Sequence, residues 1–176
     1  MKVKKNIMFI LETNKLKLIP LDAHKLRYSI ENRRKMERNL GVKITDTELE
    51  EPVKKAMRTS LKMVLENKKD YLWFTSWEII LKKENRIIGG LCFKGNPDEK
   101  GRVEIAYGMQ DEYRCKGYMT EAVKELINWA FTQEKVLSVI AETEKDNLPS
   151  HRVLEKVGMQ KYQENEKMFW WKINKI

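Results

Sequence analysis

The run from Val103 to Ala122 sets the tightest limit on what this chain can fold into. Val103-Glu104-Ile105-Ala106-Tyr107-Gly108-Met109 is rich in β-branched and aromatic residues and reads as a strand, extended here as Arg102 to Gln110. From Thr120 to Phe131 the period changes: Ala122, Val123, Leu126, Ile127 and Ala130 fall on one side of a helix. Between the two lies a basic turn, Tyr113-Arg114-Cys115-Lys116-Gly117-Tyr118-Met119. The first turn of a helix leaves backbone N–H groups without partners, and its dipole favours negative charge there. A glycine at that mouth can take a backbone angle that a Cβ resists, and it lets a ligand approach the main chain. Strand, basic turn and helix in this order predict a phosphate seat beyond the end of a strand.

The turn lacks the GxxxxGK[ST] of nucleoside triphosphatases and the GxGxxG of dinucleotide folds. It resembles the pyrophosphate-binding segment of the GCN5-related N-acetyltransferases (GNAT), written [Q/R]-x-x-G-x-[G/A]. Arg114 and Gly117 fill the first and fourth places, and Met119 stands where that family prefers a small residue. A second segment supports the resemblance. Asp146-Asn147-Leu148-Pro149-Ser150 to Met159 is similar to the N-x-x-S-x-x-x-x-E-K-x-G-F wording of the RimJ/RimL-like branch. Asn147, Ser150, Glu155, Lys156 and Gly158 match, and Met159 replaces the phenylalanine. The similarity spans roughly Leu11 to Ile173, nearly the whole chain.

The rest of the chain reads as mixed α/β of the α+β type. Lys15 to Ile19 alternates as a strand and stops at Pro20; Asp22 caps a helix through Ile30. A second helix is expected from Thr47 to about Asn67, with Glu50 and Glu51 near its positive end. Tyr71 to Lys82 and Arg86 to Lys94 read as strands joined through Lys83-Glu84-Asn85. Val136 to Thr143 is another strand, and Pro149 to Val157 a helix ended by Gly158. Gln160 to Gln163 and Met168 to Ile173 close the chain as a hairpin. No repeat or linker divides residues 1–176, so one domain is expected. The resemblance implies a central, mostly antiparallel sheet with flanking helices, in which strands Arg102–Gln110 and Val136–Thr143 splay apart around the ligand.

Composition narrows the function. A net charge of +9 favours anionic ligands, and coenzyme A is one; no nucleic-acid recognition motif accompanies it. Two cysteines, Cys92 and Cys115, form no disulfide framework, and two histidines, His24 and His151, cannot make a zinc cluster. His151 is expected to be exposed on its helix. No apolar run is long enough to cross a bilayer, and the apolar part of Met1 to Leu11 is too short for a signal peptide. A cytoplasmic monomer or homodimer without a metal is expected.

The resemblance implies transfer of an acetyl group from acetyl-coenzyme A to a primary amine, either a protein N-terminus or a small-molecule amine. It implies that the diphosphate sits on the amides of Arg114, Cys115, Lys116, Gly117, Tyr118, Met119 and Thr120. The pantetheine arm pairs with the main chain of Ile105, Ala106 and Tyr107 and with Asn147 and Ser150. An ammonium must lose a proton before it attacks, so a base is needed; Glu104 is the first candidate and Glu142 the second. Ser150 is a candidate to help the thiolate leave. Many family members carry a tyrosine acid four residues after the Ser150 position; here that residue is Leu154, so Ser150, a water or another tyrosine must serve. The acceptor site is expected in the 22–67 region and the final hairpin, and Trp73, Trp77, Trp170 and Trp171 divide between pocket lining and core. The competing reading is a coenzyme A-binding module without catalysis.

Overall fold

The computed structural model describes residues 9–46 and 48–176, so the expected helix start at Thr47 and most of the Met1–Leu11 stretch lie outside the described residues. Among the described residues eight strands form one sheet: β1 Leu11–Glu12, β2 Leu16–Pro20, β3 Ser76–Leu81, β4 Arg86–Phe93, β5 Arg102–Met109, β6 Ser138–Glu144, β7 Gln160–Glu164 and β8 Met168–Asn174. Five α-helices accompany them among the described residues: α1 Ala23–Glu31, α2 Arg33–Leu40, α3 Glu51–Glu66, α4 Tyr118–Thr132 and α5 Leu148–Lys156. The sheet order is β1-β2-β3-β4-β5-β6-β8-β7, antiparallel throughout except for β5 with β6. A parallel pair needs a long crossover, and α4 is that crossover.

Neighbouring residues of the central strands point into two different cores. Leu18, Ile79 and Ile88 pack with α4 and α5, whereas Ile19, Ile80 and Ile87 pack with α1, α2 and α3. Side chains alternate across a strand, so helices on both faces bury both sets. The sequence signature is the unbroken run Ile79-Ile80-Leu81, buried throughout. Trp73, Trp77, Phe93 and Trp129 interlock at ring-centroid separations of 4.7–5.7 Å and fix α4 to the sheet. Trp171 is buried in the same core, so three of the four tryptophans considered for pocket lining are packing residues; Trp170 is half-buried on β8.

Local chemistry sets the element ends. The Asp22 carboxylate accepts from the Lys25 amide at 2.8 Å and starts α1. The Asn32 side chain accepts from the Lys35 amide at 3.0 Å and starts α2, an element absent from the sequence reading. Tyr71–Trp73, expected as the start of a strand, is a short 3-10 turn instead; the Trp77 indole donates to the Leu72 carbonyl at 3.1 Å and holds that turn off the sheet. α3 begins at Glu51, with proline in its first turn.

Candidate active site

Strands β5 and β6 run side by side from Arg102↔Ser138 to Ile105↔Ala141 and pair no further. Beyond that point β5 keeps β4 as its neighbour to Met109, and β6 keeps β8 to Glu144. The two strands therefore part in a V whose mouth faces the start of α4. Main-chain direction within β5 follows from its outer bonds. The Glu104 carbonyl accepts from the Lys94 amide at 2.9 Å, and the Gln110 amide donates to the Ile88 carbonyl at 3.0 Å. Even-numbered residues thus face β4, and odd-numbered ones face β6 or the gap. Tyr107 turns its main-chain groups to the gap; those of Ala106, expected to meet a ligand, turn to β4.

The basic turn stands at the mouth of the V. A short 3-10 turn, Asp111–Tyr113, ends β5, after which Cys115 takes φ +60° and Gly117 φ +81° as the cap of α4. This left-handed angle is where a side chain is strained, and a Cβ on Gly117 would meet nothing within 4 Å, so only backbone strain opposes one. Among the described residues, no protein acceptor takes the amides of Cys115 through Thr120. The Arg114 amide differs from expectation: it donates to the Asp111 carbonyl at 3.1 Å. Its guanidinium is held by the Met109 carbonyl at 3.3 Å and by Asp111 at 2.9 Å. The run of free amides thus starts at Cys115. Met119 does not crowd the turn, because its side chain is buried in the core beside Tyr118.

Helix α5 forms the opposite wall. The Asn147 side chain accepts from the Ser150 amide at 3.2 Å, and Gly158 at φ +89° ends the helix. Between the walls lies a cleft of about 460 Å³ lined by residues 107–109, 113–115, 117–120, 147, 149–150, 152–153 and 156. The structure thus brings together Tyr107, Asn147, Ser150 and the basic turn. Arg152 and Lys156, which the sequence reading did not assign, join them; their signal was an i, i+4 pair of cations on the helix that carries Ser150. His151, expected to be exposed, is buried between Phe169 and Trp171, with Nε2 2.9 Å from the Glu144 carbonyl.

The candidate bases lie on the other face of the sheet. Val103 and Ile105 point into the α4 core, so Glu104 points away from it, and Glu142 leaves β6 on that same side. Lys94 joins them: its ammonium bonds the Glu104 carboxylate and lies 3.9 Å from that of Glu142. The Tyr107 hydroxyl donates to the Ser150 carbonyl at 3.3 Å, and burial pushes its phenol up to about 12. The unpaired amides on one side of the sheet and the carboxylates on the other flank the parting of β5 and β6.

A sequence model described as the acetyltransferase (GNAT) domain matches residues 15–160. The chain belongs to the GNAT acetyltransferase family. Among curated GNAT relatives, the uncharacterized N-acetyltransferase YjdG of Bacillus subtilis is 34% identical over 151 residues, covering 86% of this chain and 89% of YjdG. Among solved structures, a ribosomal-protein-S5-alanine acetyltransferase from Vibrio fischeri superposes with a TM-score of 0.70 at 18% identity, over 95% of this chain and 97% of that one. RimL, a ribosomal L7/L12 alpha-N-protein acetyltransferase in complex with coenzyme A, superposes with a TM-score of 0.69 at 13% identity, over 94% and 98% of the two chains. At such identities the two structures speak for the GNAT fold, and the RimJ/RimL-like wording of the Asn147–Met159 segment agrees with them. Among the described residues no helix is long and apolar enough to cross a membrane, and no cluster of His, Cys, Asp and Glu could hold a metal.

Proposed function

We infer that this GNAT protein moves an acetyl group from acetyl-coenzyme A to a primary amine by direct attack. The observation that carries this reading is a coincidence of place. The free amides of Cys115 through Thr120 open onto the same cleft as the gap between β5 and β6. The amides and the helix end suit a diphosphate, and the cations of Arg152 and Lys156 add to that fit. The main chain of Tyr107 turns toward the gap and suits an extended pantetheine arm or a carbonyl oxygen gaining charge. Acetyl-coenzyme A supplies the activated acetyl group. Holding donor and acceptor side by side makes a covalent enzyme intermediate unnecessary.

On the acceptor side, Glu104 takes the proton that an ammonium must lose, and Glu142 lies beside it to hold positive charge. Lys94 contacts both carboxylates, so an arriving ammonium takes over contacts that Lys94 makes in its absence. A primary amine therefore fits the chemistry of this face.

The test is release of thiol from acetyl-coenzyme A in the presence of a panel of primary amines and of peptides with free N-termini. Acetylation of at least one, identified by mass, is the expected result. Tight coenzyme A binding with no acetylated product from any amine would leave only a binding module.

A further inference from the structure

The GNAT position that often carries a tyrosine acid is Leu154 here, fully buried and apolar, so nothing at that site can protonate a departing thiolate. The cleft nevertheless holds three phenols, one committed to a carboxylate and one packed into the core. Tyr113 donates to the Glu84 carboxylate at 2.7 Å, and Tyr118 is buried beneath the turn, 8% exposed. The third, Tyr107, leaves β5 on the α5 side of the sheet and crosses the V to reach Ser150. Its bond to the Ser150 carbonyl is long at 3.3 Å, the kind of contact readily exchanged for another acceptor.

We propose that Tyr107 is the proton donor to the departing thiol, its phenol doing from β5 what no side chain at Leu154 can do from α5. The proposal rests on the acetyl-transfer reading above. As the amine nitrogen bonds to the carbonyl carbon, the carbon–sulfur bond breaks, and its electron pair goes to sulfur. Sulfur takes the phenolic proton, and the cationic nitrogen of the adduct sheds one proton as it becomes the amide nitrogen; that proton returns to the phenolate through water. A phenol is protonated throughout the neutral range, as a donor must be; burial raises this one further, so it gives up its proton only to the charge that builds on sulfur. Ser150 orients the ring through its carbonyl, which explains why its backbone rather than its hydroxyl faces Tyr107.

Tyr107→Phe deletes one oxygen and one weak hydrogen bond. It should lower kcat by about 100-fold, the lower part of the range for a positioned acid, while coenzyme A affinity by calorimetry stays unchanged. A second variant carries 3,5-difluorotyrosine at position 107 in a Cys115→Ser background, so that no thiol of the cleft contributes. The other ionisable groups lining the cleft with residue 107 are the phenols of Tyr113 and Tyr118 and the cations of Arg114, Arg152 and Lys156. Its turnover should match that of Tyr107 at low pH and fall as the more acidic phenol ionises, a limb the natural residue lacks. Its fluorine resonance should move on adding coenzyme A and stay in place on adding desulfo-coenzyme A, which lacks the sulfur. Unchanged kcat in the phenylalanine variant overturns the proposal, as does an identical fluorine response to the two ligands. If the wild type acetylates no amine at all, the transfer reading itself fails and the role of Tyr107 goes with it. A wild type that transfers and a phenylalanine variant that transfers equally well remove Tyr107 alone.

Discussion

The Lys94 ammonium bonds the Glu104 carboxylate on the sheet face turned away from α4 and α5. A base that takes a proton from an incoming amine must be reachable by that amine, so this pair has to open during turnover. Glu104→Gln should lower kcat by about 100-fold, the scale of a lost general base, and most at low pH where the amine arrives protonated. An unaltered pH–rate profile would remove Glu104 as the base. Lys94→Met should lower the KM for the amine, because one competing cation is gone; an unmoved KM would show that Lys94 does not stand in the acceptor's place.

Gly117 holds φ +81° at the cap of α4, with open space where a Cβ would go. Gly117→Val should therefore act through backbone strain alone, about 1–3 kcal/mol if the turn keeps its shape. The turn can escape the strain only by rotating the amides of Cys115 through Thr120 out of line. Coenzyme A affinity by calorimetry should fall about tenfold or more, since each factor of ten is about 1.4 kcal/mol. A thermal melt should show the remainder of the fold intact. Unchanged affinity would separate the turn from the diphosphate.

Arg152 and Lys156 stand one turn apart on α5 and line the cleft. Replacing either with alanine should weaken coenzyme A binding at low salt. The deficit should shrink at about 1 M salt, where screening acts within about 3 Å. A loss equally large at high salt would mean that these side chains act by packing instead.

The Asn147 side chain caps α5 through the Ser150 amide. Ser150→Ala leaves that cap intact, because the bond is made by the backbone. Thermal stability should therefore hold, and so should the Tyr107 contact to the Ser150 carbonyl; a drop in turnover then reports a contact of the hydroxyl itself with the pantetheine arm. Asn147→Ala should cost stability as well, about 1 kcal/mol for a lost cap, measured by denaturant unfolding. Equal losses of activity and stability in Ser150→Ala would return that hydroxyl to a structural role.

The turn, cap and helix that border the cleft were legible in the sequence because local chemistry specifies them. A glycine at positive φ, an Asn cap and a helix-period stripe each announce themselves within a few residues. What stayed hidden depends on contacts between distant segments. The Arg114 amide is lost to Asp111 through a 3-10 turn that carries no hydrophobic period. Burial of His151 is decided by Phe169 and Trp171, which arrive from another strand. The ion pair of Glu104 with Lys94 comes from β4 lying opposite β5. Helix α2 was missed because its sequence, Arg33-Arg34-Lys35-Met36-Glu37-Arg38-Asn39-Leu40, offers one buried hydrophobe, Met36, amid charge.

Glu78 is buried on β3, with the Arg33 guanidinium 3.4 Å away and Glu37 in the same cluster. Burial raises its carboxyl above the usual carboxylate range, and Arg33 only partly opposes that. The native state therefore holds this proton more tightly than the unfolded chain does. Its contribution to stability is greatest at low pH and is lost as pH rises from the ordinary carboxylate range through the raised native value. Glu78→Gln keeps the shape and an oxygen for Arg33 but cannot ionise. Relative to wild type, its melting temperature should become more favourable as pH rises from about 4 to 7, across and above the ordinary glutamate value. A difference between the two proteins that stays constant over that interval would mean that Arg33 fully compensates the buried charge.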